Sequence, residues 1–249
     1  ETVTITDNRT GRSVEAPIVN GGVDAKAWSD VLPGVWFLDP GYMTTASAQS
    51  AITELDGENG ILRYRGYPIE QLAEHSTYLE VCYLLLHGDL PTKDQLETWV
   101  HDVTYHTFLH ENMRHRFMGG FHHGAHPMGR MVSALAALST FYPEAKNIED
   151  PQNRHIQINR LISKTPTIAA MAYRASIGMP FVYPDNTLNY TENFLSMMWR
   201  VAEPHYEPDP VLSKALDVLL ILHADHEQNC STTAMRVIGS SHADPFSAV

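Results

Sequence analysis

Asp209-Pro210-Val211-Leu212-Ser213-Lys214-Ala215-Leu216-Asp217-Val218-Leu219-Leu220-Ile221-Leu222-His223 carries the marks of one complete helix. Asp209 can cap the first free amides, and Pro210 has the φ of a first turn with no N–H to leave unpaired. Leu212, Leu216, Leu219 and Leu220 recur at helical spacing. His223 closes the run where helix carbonyls favour a cation. The apolar core of the segment, Val218 to Leu222, is far shorter than the roughly 20 residues that cross a bilayer, so its stripe is expected in a protein core.

Working outward toward the N-terminus, further helices are predicted near 190–200, 167–178 and 152–164, and one from Pro127 through Met131, Leu135 and Leu138. Thr92 and Gln95 form a capping box. The helix they open carries Leu96, Trp99, Val100, Val103 and Thr107, and is expected to run to Arg114-His115-Arg116 before Gly119-Gly120. Another starts near Tyr78, with Leu79, Cys82, Leu85 and Leu86 on one face and Gly88 as its stop. Before residue 65 the period changes to two. Thr2 to Thr6, a turn across Asp7 to Gly11, and Ser13 to Val19 predict a hairpin. Val35 to Leu38, and Ala51 to Leu55 turning through Asp56 to Gly60 into Ile61 to Tyr64, are further strand candidates. In the other direction a helix is expected near Ser231. Asp244-Pro245 repeats the cap and first-turn pair with only four residues after it, so the chain is expected to stop inside an element, as a truncation.

The 249 residues are 43% hydrophobic and 18% charged, enough to bury a large core. Seventeen Lys and Arg against 29 Asp and Glu leave a charge of -12, which argues against nucleic acid or anionic membrane as partners. Cys82 and Cys230 do not form a disulfide framework and suit a reducing compartment, so the cytoplasm is the expected location.

Fourteen histidines concentrate the candidate chemistry. His106 and His110 have the i, i+4 spacing of a metal pair but no His-Glu-x-x-His motif, and the His122–His126 loop has no adjacent carboxylate or thiol to close a zinc site, so no metal is assigned. His223-Ala224-Asp225-His226-Glu227-Gln228-Asn229 is different. Its two imidazoles, at i and i+3, follow an apolar helix, where a cationic ring can hold a carboxylate. Asp225 and Glu227 could orient those rings through the second nitrogen. The alternative is that both histidines only cap helix-end carbonyls.

His223 to Asn229 followed by Ser231-Thr232-Thr233 resembles the stretch of citrate synthases that precedes the oxaloacetate site. The resemblance extends through Leu38-Asp39-Pro40-Gly41, Asp56 to Ile69, Tyr78 to Tyr83, Ser163 to Thr167 and Pro180 to Pro184, and covers nearly the whole chain. The N-terminal strands resemble the long bacterial type. This implies a mainly α fold, a multi-helical large domain over 66–249 with its small domain absent, and a small N-terminal β region over 1–65. In the family, an aspartate removes a methyl proton from acetyl-CoA, one histidine stabilises the enol and another polarises the oxaloacetate carbonyl. The citryl thioester is then hydrolysed.

By resemblance, His226 is the histidine that contacts oxaloacetate or citrate, with His223 and Asn229 beside it. The family's catalytic groups lie in motifs beyond Val249, so none is assigned and the chain alone is expected to be inactive. The family reaction makes citrate and CoA at the entry of the tricarboxylic acid cycle, with acetyl-CoA as a substrate and no cofactor, in a dimer or hexamer. His106, Thr107, Tyr142, Arg160 and Lys164 match positions of a regulatory NADH site, but Tyr105 replaces an arginine and a cysteine expected near Ala202 is missing. The alternatives are a 2-methylcitrate synthase using propionyl-CoA, a helical metal-dependent phosphohydrolase, and a non-catalytic assembly fragment.

Overall fold

The computed structural model describes residues 1–249 and divides into two compact units, Glu1–Gln49 and Ser50–Val249. In the first, β1 (Thr2–Asp7) and β2 (Arg12–Val19) form the predicted antiparallel hairpin, and β3 (Gly22–Val23) extends it. The short helix α1 (Ala25–Val31), not predicted, is capped by the Asp24 carboxylate. Val35 to Leu38 is not the expected strand. Its backbone finds no neighbouring strand: the Val35 carbonyl accepts from the Trp28 indole at 3.2 Å, and Phe37 packs on Trp28. Trp36 and Leu38 are left 89% and 91% exposed.

The second unit opens with the predicted hairpin β4 (Thr53–Asp56) and β5 (Ile61–Tyr64), joined by the two-residue β6 (Tyr67–Pro68). Helices α2 (Ile69–His75), also unpredicted, and α3 (Tyr78–His87) follow. Gly88 ends α3 at φ 93°, a left-handed cap that suits glycine. α3 buries Leu79, Val81, Cys82 and Leu84, so the buried face is turned from the predicted one and Leu86 points to solvent.

The capping box of Thr92 and Gln95 starts α4 (Lys93–Thr104) as predicted, but α4 stops short of Arg116. The chain leaves the helix because the buried Lys164 amine takes the His106 and Phe108 carbonyls, at 2.6 and 2.5 Å, out of any helical ladder. A π-helical turn at Met113–Phe117 and a 3₁₀ turn at Met118–Gly120 lead to α5 (Pro127–Ala137).

α6 (Pro151–Ser176) joins two helices predicted as separate and runs straight through Pro166. Pro166 cannot donate to the Ile162 carbonyl. The Tyr190 hydroxyl does so instead, at 2.9 Å, which removes most of the reason to break there. α7 (Tyr190–Trp199), α8 (Pro210–Leu222), α9 (Cys230–Gly239) and the single turn α10 (Pro245–Ala248) complete the chain. α6 packs between α5 and α7, with α8 beyond α7. Asp209 caps α8 through the amides of Val211 and Leu212. α8 buries only Ser213 and Ile221, while Leu212 and Leu219 of the predicted stripe are exposed.

One core cluster joins Tyr64 of β5 to Ile69 and Leu72 of α2, Val81 and Leu84 of α3 and Ile221 of α8, with Ala224 at its edge. It fixes the C-terminal end of α8 against the β4–β5 hairpin. No helix is long and apolar enough to cross a membrane.

Candidate functional site

His223 is the C-cap of α8, and its Nδ1 lies 2.7 Å from the Leu219 carbonyl. A carbonyl only accepts, so Nδ1 carries the proton and Nε2 is free to face a ligand. The exposed ring of His226 lies beside it, with the two centroids 5.6 Å apart. Asn229 caps α9, accepting from the Thr232 amide at 2.8 Å. The three predicted residues therefore share one seven-residue loop between the carbonyl end of α8 and the amide end of α9. Protonatable imidazoles beside a helix N-terminus suit a small carboxylate.

Asp225 does not orient either imidazole as predicted. Its Oδ2 accepts from the Thr53 hydroxyl at 2.5 Å and from the Glu227 amide at 3.0 Å, while Tyr64 donates to its carbonyl at 3.2 Å. These bonds hold the backbone around His226 rather than its ring. Thr53 and Tyr64 were missed from sequence, because they lie 172 and 161 residues away and no local pattern marks them.

His106, Thr107, Tyr142, Arg160 and Lys164 also gather, where α6 meets the loop after α4 and the turn after α5. Their polar groups are already engaged. Arg160 lies 4.1 Å above the Tyr142 ring and pairs with Glu144 at 2.5 Å, which lowers the Glu144 pKa. His106 Nδ1 donates to the Asp102 carbonyl at 2.6 Å, and Thr107 to the Thr104 carbonyl at 3.0 Å. Lys164, only 3% exposed, spends its amine on two carbonyls.

Burial first, and the Arg160 charge second, push Lys164 down from the usual 10.5 to about 8. Between those two values the unfolded chain binds the proton and the folded chain has lost it, so stability rises with pH across that window. Urea unfolding from pH 7.5 to 10.5 should show the parent gaining about 3 kcal/mol relative to Lys164→Met, a difference in which the opposite trend of the buried Cys82 thiol, pushed up to about 12 in both proteins, cancels. Equal slopes in both proteins would show that Lys164 stays charged in the fold.

The other histidine groups serve as turn caps. His122 Nδ1 accepts the Gly124 amide at 3.1 Å, and His126 Nδ1 the Met128 amide at 3.2 Å. The His110 ring turns to Phe141, with centroids 5.1 Å apart. No three His, Cys, Asp or Glu side chains converge with metal-ligand geometry.

The family model described as the citrate synthase C-terminal domain matches residues 41–249. The chain belongs to the citrate synthase family. It is 51% identical over 261 residues to the peroxisomal citrate synthase of Dictyostelium discoideum, covering 100% of this chain and 53% of that protein. It is 47% identical to citrate synthase 1 of Mycobacterium tuberculosis, over 96% of this chain and 56% of that one. The crystal structure of citrate synthase from Pyrobaculum aerophilum superposes with a TM-score of 0.76 at 36% identity, covering 86% of this chain and 55% of that one. The chain spans about half the length of the curated relatives it matches. The mainly α architecture expected from the resemblance is that of the citrate synthases. The loop carrying His223 and His226 lies inside the matched region.

Proposed function

We propose that this chain is the oxaloacetate-recognising part of a citrate synthase, which condenses acetyl-CoA with oxaloacetate to citrate and CoA. The observation that carries the reading is the exposed pair His223 and His226, held between two helix ends within a citrate synthase chain. Protonated, His226 donates a charge-assisted hydrogen bond to one carboxylate of oxaloacetate. His223, whose Nδ1 proton is spent on the Leu219 carbonyl, donates from Nε2 to the same anion only as the doubly protonated imidazolium. The reaction takes acetyl-CoA as a substrate and calls for no further cofactor. It belongs at the entry of the tricarboxylic acid cycle, in a self-associated dimer or hexamer.

Two free cysteines, one buried and one exposed, fit a reducing compartment, and we place the enzyme in the cytoplasm. The peroxisome, named for one relative, is the alternative. An NADH effector at Arg160 and Lys164 would first have to open the Glu144 pair and the two carbonyl bonds, so insensitivity to NADH is the reading we favour.

The test is an assay of the protein at its full encoded length with oxaloacetate and either acetyl-CoA or propionyl-CoA, following thiol release and identifying the product by mass. Citrate should form, with acetyl-CoA the preferred thioester. A strong propionyl-CoA preference would make it a 2-methylcitrate synthase. Loss of turnover on chelation, together with stoichiometric bound metal, would move the protein to metal-dependent chemistry.

A further inference from the structure

We infer that Thr53 and Tyr64 are positioning residues that aim His226 at the substrate, an inference that rests on the function proposed above. The two are partners across the β4–β5 hairpin, so their side chains leave the same face of the sheet. Both hydroxyls reach a single residue, Asp225. Thr53 Oγ1 donates to the carboxylate at 2.5 Å, and Tyr64 donates to the main-chain carbonyl at 3.2 Å while receiving the Asp225 amide at 3.4 Å. Asp225 is thus held at side chain, carbonyl and amide by one rigid hairpin.

The same carboxylate oxygen accepts the Glu227 amide at 3.0 Å and closes a turn with His226 at its centre. Glu227 sits at φ 59°, a left-handed conformation unfavourable for a residue with a Cβ, so the turn needs an anchor to persist. The anchor cannot drift, because Tyr64 is fully buried among Leu72, Val81, Leu84 and Ile221. The direction of the His226 Cα–Cβ bond therefore depends on a hairpin far away in sequence. A ring held in one orientation binds its anion without first losing conformational freedom.

The experiment compares Thr53→Val, which keeps the shape and deletes the hydroxyl, with Thr53→Ser, which keeps the hydroxyl, in the protein at its full encoded length. Thr53→Val should raise the KM for oxaloacetate roughly 5- to 20-fold with the KM for acetyl-CoA unchanged, and Thr53→Ser should restore the parent value. In a His226→Ala background Thr53→Val should add nothing, because it acts through the missing ring. Tyr64→Phe, which keeps the buried ring, should show the same split and serves if Thr53→Val does not fold. An unchanged oxaloacetate KM in Thr53→Val, an equal rise for both substrates, or an undiminished effect without His226 would each overturn the positioning role. If His226→Ala itself leaves the oxaloacetate KM unchanged, the underlying site assignment is what fails.

Discussion

Arg174→Ala is expected to destabilise the fold by roughly 3–5 kcal/mol, the largest effect of a single substitution outside the apolar core. Arg174 lies on α6, is 1% exposed, and donates from Nη1 to the carbonyls of Met198 and Arg200 at 2.9 and 3.0 Å. Its Nε donates to the Pro180 carbonyl. Met198 is in the last turn of α7, where carbonyls have no helical partner, and Pro180 and Arg200 lie in the loops on either side of that helix.

One guanidinium thus ties three segments to α6. Burial lowers its pKa, but arginine stays charged at any working pH, so the donors are always present. Alanine leaves three acceptors without that donor and a void the size of the side chain. The melting temperature should fall by roughly 6–20 °C in a chain of this size. Arg174→Met refills the void without supplying donors, and should recover less than half of the loss. A fall of under about 1 kcal/mol for alanine would mean that water replaces the guanidinium at no cost.

In the protein at its full encoded length, His226→Ala should raise the oxaloacetate KM roughly 10- to 150-fold, the loss of one charge-assisted hydrogen bond of about 1.5–3 kcal/mol. Its melting temperature should stay within about 2 °C of the parent, because the ring is exposed and packs only loosely on His223. This combination of large kinetic and small thermal change separates a ligand contact from a structural histidine. His226→Gln keeps a donor and loses the charge, and should fall between the two. Unchanged steady-state kinetics in His226→Ala would remove the assignment.

The two residues differ in how visible they are in the sequence. His226 stands in a stretch whose local pattern, a capped apolar helix ending in two imidazoles, leaves helix capping and anion binding both open, and the resemblance to citrate synthases chose between them. Arg174 is a single cation in the run Ile168-Ala169-Ala170-Met171-Ala172-Tyr173-Arg174-Ala175, and that isolation was the available clue to a buried donor. Nothing near Thr53 or Tyr64 points to Asp225, since a hydroxyl in a strand has many uses and the partner is on the far side of the chain.

By itself, the sequence determined the elements whose causes lie within one turn: the Thr92–Gln95 box, the Asp209-Pro210 and Asp244-Pro245 starts, the Gly88 stop and the two hairpins. Each is set by bonds or dihedrals a few residues apart. Tertiary structure decided the rest. α4 ends where Lys164, 58 residues on, captures its successor carbonyls. α6 survives Pro166 because Tyr190, 28 residues from Ile162, supplies the missing donor. The loop of His226 takes its shape from a hairpin 172 residues upstream. In the first two cases a buried backbone carbonyl must be paired, and in the third a carboxylate meets a hydroxyl; which partner reaches each depends on packing that no local window contains.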